Sequence, residues 1–124
     1  MSSEEKEVRD FLGVLSTKIF HIHDSLDGQE IGNALYGLQR MTSKHKEVRD
    51  VIRAISLKIS NSPFKLSPQN IGNALYGLQG ISNTEVDMRI LLRALSKKIS
   101  ECDLKLTGQS IGNALYGLQN MRSE

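Results

Sequence analysis

Three asparagines and three tyrosines recur along this 124-residue chain at a fixed spacing of 40 residues. They are Asn33, Asn73 and Asn113, and Tyr36, Tyr76 and Tyr116. Side-chain amides donate and accept hydrogen bonds, and aromatic rings offer a surface for stacking, so the set suits an extended ligand such as single-stranded RNA. The competing interpretation is structural. In that case the asparagines form a hydrogen-bonded ladder across buried helix contacts, and the tyrosines pack between helices. Both interpretations are open at the level of the sequence.

A second periodic set consists of arginines. Its members are Arg9, Arg49, Arg53, Arg89 and Arg93. Lined up at one border of an apolar helix face, such guanidinium groups would contact successive phosphates of a nucleic acid. The same pattern also fits a solvated helix edge, where arginine stems cover apolar surface and the charges pair with nearby carboxylates.

Residue sets that would support catalysis or metal binding are sparse. His21 and His23 are two positions apart, so their side chains diverge on a helix, and no third ligand is evident. The single cysteine, Cys102, aligns with Ile22 and Ser62 of the other units, which favours a residue at the edge of the core over a nucleophile. We expect no enzymatic activity, no metal, no cofactor and no small-molecule substrate.

The 40-residue spacing comes from an internal repeat. The sequence Ile-Gly-Asn-Ala-Leu-Tyr-Gly-Leu-Gln occurs at 31–39, 71–79 and 111–119. We divide the chain into repeat units 1–40, 41–80 and 81–124, the last of which includes a short tail. A period of this length is typical of stacked helical units.

Each unit contains the pattern of two helices. In the second unit the apolar residues of the first helix are Val48, Val51, Ile52, Ile55 and Ile59. The second helix should begin at the N-cap residues Asp27, Ser67 and Thr107. Its apolar face in the second unit is Ile71, Ala74, Leu75, Leu78 and Ile81, and a polar row runs from Gln69 through Asn73 and Tyr76 to Gly80. Since neither helix can bury its apolar face alone, we predict an all-α fold: an α-solenoid of three 40-residue helical-hairpin repeats with six helices.

Composition limits the class of protein. The chain is 39% hydrophobic and 24% charged, and has no apolar run long enough to span a membrane. The net charge of +2 is too small to indicate nucleic-acid binding by itself. With one cysteine and no targeting signal at its start, the chain is expected in a reducing, intracellular compartment, in a bacterium or inside an organelle.

The segment from Leu66 to Gln79 resembles the helical core of octotricopeptide repeats, a family similar to the repeats of FAST-kinase and RAP-domain proteins. The resemblance extends over all three units. It implies a paired-helix solenoid that binds RNA. The chain has Tyr36, Tyr76 and Tyr116 where the family usually has tryptophan.

Three functional hypotheses follow. The first is RNA binding through the repeated second helix and the arginine row. The second is a protein-interaction scaffold that self-associates by end-to-end stacking. The third unit keeps the internal nonapeptide and leaves its stacking surface uncovered, which predicts either a longer parent protein or association through the ends. The third is a consensus-like or engineered repeat without a ligand.

Overall fold

The computed structural model describes residues 1–122, which form six α-helices and no β-strand. The helices are α1 (Lys6–His21), α2 (Gly28–Tyr36), α3 (Lys46–Asn61), α4 (Pro68–Tyr76), α5 (Val86–Ser100) and α6 (Gly108–Gly117). The prediction of an all-α fold with six helices is confirmed. None of these helices has the length and apolar character needed to cross a bilayer. Ser123 and Glu124, at the end of the predicted third unit, lie outside the described residues.

The short helices α2, α4 and α6 begin at the predicted caps. The Asp27 side chain accepts a hydrogen bond of 2.8 Å from the backbone N–H of Glu30, whose carboxylate accepts one of 2.9 Å in return. Ser67 and Asn70 form the same reciprocal pair, although Asn70 was not predicted to take part. These contacts satisfy backbone N–H groups that a helix start otherwise leaves without a partner.

The short helices end earlier than the predicted polar row. α4 ends at Tyr76, and the backbone then tightens, with the N–H of Leu78 donating to the carbonyl of Leu75 at 3.0 Å. Gly80 therefore lies in a turn and not on the helix. Leu78 and Ile81 are fully buried from that turn, so the core extends past the helix end.

The long helices α1, α3 and α5 pack side by side, and so do the short helices α2, α4 and α6. α1 contacts α3 and α3 contacts α5, while α2 contacts α4 and α4 contacts α6. Apolar residues from both sets of helices belong to a single buried cluster. Fully buried members include Ile31 and Leu35 of α2, Ile52 of α3 and Ile71 of α4. The contacts between units thus bury the apolar helix faces that a single hairpin would leave exposed to water.

Glycines allow the short helices to approach each other at backbone distance. A Cβ atom added to Gly77 would overlap the carbonyl oxygen of Leu35, and one added to Gly117 would overlap that of Leu75. Both glycines have aligned positions, so the two junctions between short helices use the same contact. The backbone of one helix end therefore rests on the backbone of the preceding one.

Buried serines connect the loops between units. The hydroxyl of Ser3 accepts a hydrogen bond of 3.0 Å from the N–H of Thr42, and Ser43 accepts one of 2.9 Å from Ser82. Both serines are at most 5% exposed. Each bond joins residues 39 positions apart, so it fixes one unit against the next.

We expect Gly77→Ala to destabilise the fold by about 3 kcal/mol, because the added methyl group must displace the backbone of α2. Gly13→Ala is the matched control: its Cβ would meet only the Cγ of Glu47, at 3.9 Å, so the substitution should raise stability by about 0.5–1 kcal/mol through helix propensity. Urea unfolding followed by circular dichroism measures both. Equal stabilities of the two variants would contradict the close-approach role of Gly77.

Candidate ligand-binding face

The tyrosines form one continuous stack at the ends of the short helices. The ring centroids of Tyr36 and Tyr76 are 5.7 Å apart, those of Tyr76 and Tyr116 are 5.4 Å apart, and both pairs are inclined by 20°. The facing surfaces of the rings are therefore occupied by one another, as the packing interpretation of these residues requires. Tyr36 and Tyr116 remain 42% and 51% exposed, so their outer faces and edges are accessible.

The asparagines of the same helices do not form the ladder that the structural interpretation requires. Within residues 1–122, the amides of Asn33, Asn73 and Asn113 make no hydrogen bond. Asn33 is exposed, whereas Asn73 and Asn113 are half-buried. Their donors and acceptors are partly removed from water without a protein partner, which leaves them able to bind a ligand.

A polar groove runs along the surface where α4 and α6 pack against each other. Its volume is about 340 Å³, and it is lined by Gln69, Gly72, Asn73, Thr107, Gln109, Ser110 and Asn113. The glutamine amides on this wall, like the asparagine amides, form no hydrogen bond within the described range. We name the surface formed by Gln29, Gln69, Gln109, Asn33, Asn73, Asn113, Tyr36, Tyr76 and Tyr116 the amide–tyrosine face.

Three of the predicted arginines hold loops in place. Arg49 donates from Nη1 to the carbonyls of Ser43 and Lys44, at 2.8 and 3.0 Å. Arg9 and Arg89 make the equivalent pairs of bonds to their own loops, at 2.8–3.2 Å. This repeated bond closes the turn before each long helix, because one guanidinium nitrogen donates to two carbonyl groups of that turn.

The other two arginines differ from each other. Arg53 pairs with Asp50 at 3.0 Å and with Asp87 at 3.4 Å. Arg93 is exposed and has no hydrogen bond or ion pair among residues 1–122. All five arginines lie on α1, α3 and α5, whereas the amide–tyrosine face lies on α2, α4 and α6. The structure therefore does not bring the two predicted sets together.

Two further ion pairs, both between exposed loop residues, join successive units. Lys44 lies 2.8 Å from Glu4, and its hydrogen bond holds the pKa of that carboxyl below the ordinary value. Asp103 lies 2.8 Å from Lys65, and its hydrogen bond raises the pKa of that ammonium group. Both pairs are on loops, outside the amide–tyrosine face, and exposed pairs of this kind contribute little stability.

The remaining titratable candidates are dispersed. No three histidine, cysteine or carboxylate side chains converge as metal ligands anywhere in residues 1–122. His21 closes the last turn of α1, and His23 lies two residues farther along the chain. Cys102 is partly buried against the core, with its Sγ 3.5 Å from the carbonyl of Leu104.

One periodic lysine has a role that the sequence did not predict. Lys98 is only 6% exposed and donates to the carbonyls of Ser62 and Phe64, at 2.6 and 2.8 Å. Lys58 makes the equivalent bonds to Ile22 and Asp24 of the first unit. The signal in the sequence was the identity of Lys18, Lys58 and Lys98 at 40-residue spacing.

Comparisons of the chain with protein-family models, with curated proteins and with solved structures find no match.

We expect Arg49→Ala to lower the free energy of unfolding by about 1.5–3 kcal/mol, because it removes two charged hydrogen bonds to the loop. Arg93→Ala, which removes an arginine without a described partner, should change stability by less than about 0.5 kcal/mol. Thermal unfolding of both variants measures the difference. If Arg49→Ala were as stable as Arg93→Ala, the proposed role of Arg49 in holding the loop before α3 would be wrong.

Proposed function

We propose that the chain is a non-catalytic α-solenoid binding module and that single-stranded RNA binds along its amide–tyrosine face. The solenoid is supported by the repetition of the same contacts at both junctions: glycine against a backbone carbonyl, serine against a loop N–H, and lysine against two carbonyls. Repeated junctions place equivalent side chains at regular steps. Equivalent side chains at regular intervals suit an extended polymer as the ligand.

The unpaired amides are the observation that carries the RNA proposal. Asn73 and Asn113 line a polar groove and are half-buried, so their amides have lost part of their hydration without gaining a hydrogen bond to the part of the chain that the structure describes. The edges of unpaired bases present donors and acceptors that an amide matches in either orientation. The resemblance to octotricopeptide repeats points to the same ligand.

The tyrosines contribute edges and outer faces in this proposal. Because Tyr76 is stacked on both sides, a base does not enter between the rings without moving them. The outer face of Tyr36 or of Tyr116 can stack on a base, and the phenolic hydroxyl groups can bond along the strand.

The arginines have a smaller part than the sequence predicted. Arg9, Arg49 and Arg89 are bound to loop carbonyls, and Arg53 faces two aspartates. Arg93 and Arg53 lie on α5 and α3, outside the amide–tyrosine face, and would contribute no more than one or two contacts with phosphates. The affinity should accordingly depend only weakly on salt, with a slope of about −0.7 to −1.4 in a plot of log affinity against log salt.

The test is the binding of a fluorescent, mixed-sequence single-stranded RNA, followed by anisotropy at low salt. We expect the double variant Asn73→Ala, Asn113→Ala to bind about 30-fold more weakly, since each lost hydrogen bond contributes about 1 kcal/mol. Asn61→Ala is the control, because this exposed asparagine ends α3, away from the groove.

An RNA whose anisotropy does not rise on addition of the protein at low salt would refute the proposal. Equal affinities of the double variant and the control for the RNA would refute it as well. Circular dichroism spectra of the three proteins establish that all are folded.

A further inference from the structure

The two ends of the chain carry the two halves of one junction. Ile31 and Leu35 of α2 are both 0% exposed because the second unit covers them. Their copies at the far end, Ile111 and Leu115 of α6, are 46% and 66% exposed. We name the surface of Leu106, Ile111, Gly112 and Leu115 the tail face.

The first unit leaves exposed the apolar residues that form the other side of such a junction. Leu91 and Leu95 of α5 are each 1% exposed where they meet the second unit. Their copies in α1, Phe11 and Leu15, are 60% and 36% exposed. They border an apolar cleft of about 330 Å³ that opens between α1 and α2. We name the surface of Phe11, Leu15, Lys18 and Gly37 the head face.

The backbone at both ends has the shape that a junction needs. Within the chain, a Cβ added to Gly72 would lie 3.2 Å from Ser110, whereas nothing lies within 4 Å of one added to Gly112. Gly37, on the head face, is exposed and is the copy of Gly77, which receives the carbonyl of Leu35. A Leu115 carbonyl would fit there in the same way.

The head face also contains the ammonium group of Lys18, which forms no hydrogen bond or ion pair within residues 1–122. Lys58 and Lys98 each reach back to two carbonyls of the preceding unit. Lys18 is their copy and is exposed, and residues 1–17 do not supply the carbonyl groups that Lys58 and Lys98 bind. The carbonyls equivalent to its targets are those of Cys102 and Leu104, both in the loop that follows α5.

We propose that the chain binds a second copy of itself head to tail, with the tail face of one copy seated on the head face of the next. The docked geometry is that of the two internal junctions, so Lys18 of one copy donates to the Cys102 and Leu104 carbonyls of the other. Such a contact is heterologous and continues into a ring or a filament. It goes beyond RNA binding and does not depend on it.

Charge favours this orientation over contact between like ends. The first unit has four basic and seven acidic residues, and the third has six basic and five acidic residues. Opposite ends therefore attract, whereas two head ends repel. The side chain of Arg40, where the second unit has Gly80, is compatible with docking, because Asn120 at the aligned position fits the internal junction and bonds to the Gln79 carbonyl.

The experiment is sedimentation velocity of the full chain without RNA. We expect the average mass to rise above 13.8 kDa as the concentration passes about 100 μM. Leu115→Lys on the tail face and Leu15→Lys on the head face should each be monomeric. Leu57→Lys is the control, since Leu57 is 45% exposed on α3 but belongs to neither face.

Mixing the two monomeric variants tests direction. Each retains one intact end, so the mixture should form 1:1 dimers that do not grow further. A wild-type chain that stays monomeric throughout the concentration series overturns the proposal. Dimers of Leu115→Lys alone would indicate contact between two head ends and would overturn it as well. Circular dichroism of each variant excludes unfolding as the cause of a monomer.

The lysine contact has its own readout. Lys18→Met should shift the concentration at half-association upward by about 10-fold or more, because the two carbonyls lose a charged donor. Lys97→Met, an exposed lysine on α5, should leave it unchanged. Equal values for the two variants would remove Lys18 from the proposed junction.

Discussion

The distance between neighbouring short helices is the constraint on which the other features depend. Backbone contact at Gly77 and Gly117 sets this distance, because any side chain there would overlap the carbonyl of the preceding helix. The close approach brings Tyr36, Tyr76 and Tyr116 into contact as a stack. It also brings Asn73 and Asn113 to the same groove. Gly72 lies inside α4, where a glycine weakens the helix by roughly 1 kcal/mol, and its close contact with the backbone of Ser110 offsets that loss.

The sequence predicted the helices well because the signals for them are local. The N-caps Asp27, Ser67 and Thr107 act within one turn, and apolar periodicity identified the buried face of α3. The end of the short helix was less accessible. Leu78 and Ile81 continue the apolar spacing, but they are buried from a tightened turn, which depends on contacts between units.

The roles of the cations were beyond the sequence for a similar reason. Arg49 and Lys98 both bind backbone carbonyls, and a backbone acceptor leaves no mark in the residue types around it. A periodic arginine therefore has the same appearance whether it binds a loop or a phosphate. The asparagines show the converse. Their repetition suited a buried ladder, whereas the structure places Asn73 and Asn113 beside a groove, where their amides form no hydrogen bond with any of residues 1–122.

The two proposals meet at the ends of the tyrosine stack. Docking that repeats the internal junction would place Tyr116 of one copy against Tyr36 of the next, at the spacing that already separates Tyr36 from Tyr76. The outer ring faces would then be used for assembly and would no longer be available to bases. The amides would be unaffected, and their row would continue from one copy into the next. A longer row would contact more nucleotides than the three units of one chain, so assembly would shift RNA recognition from ring stacking to amide hydrogen bonds.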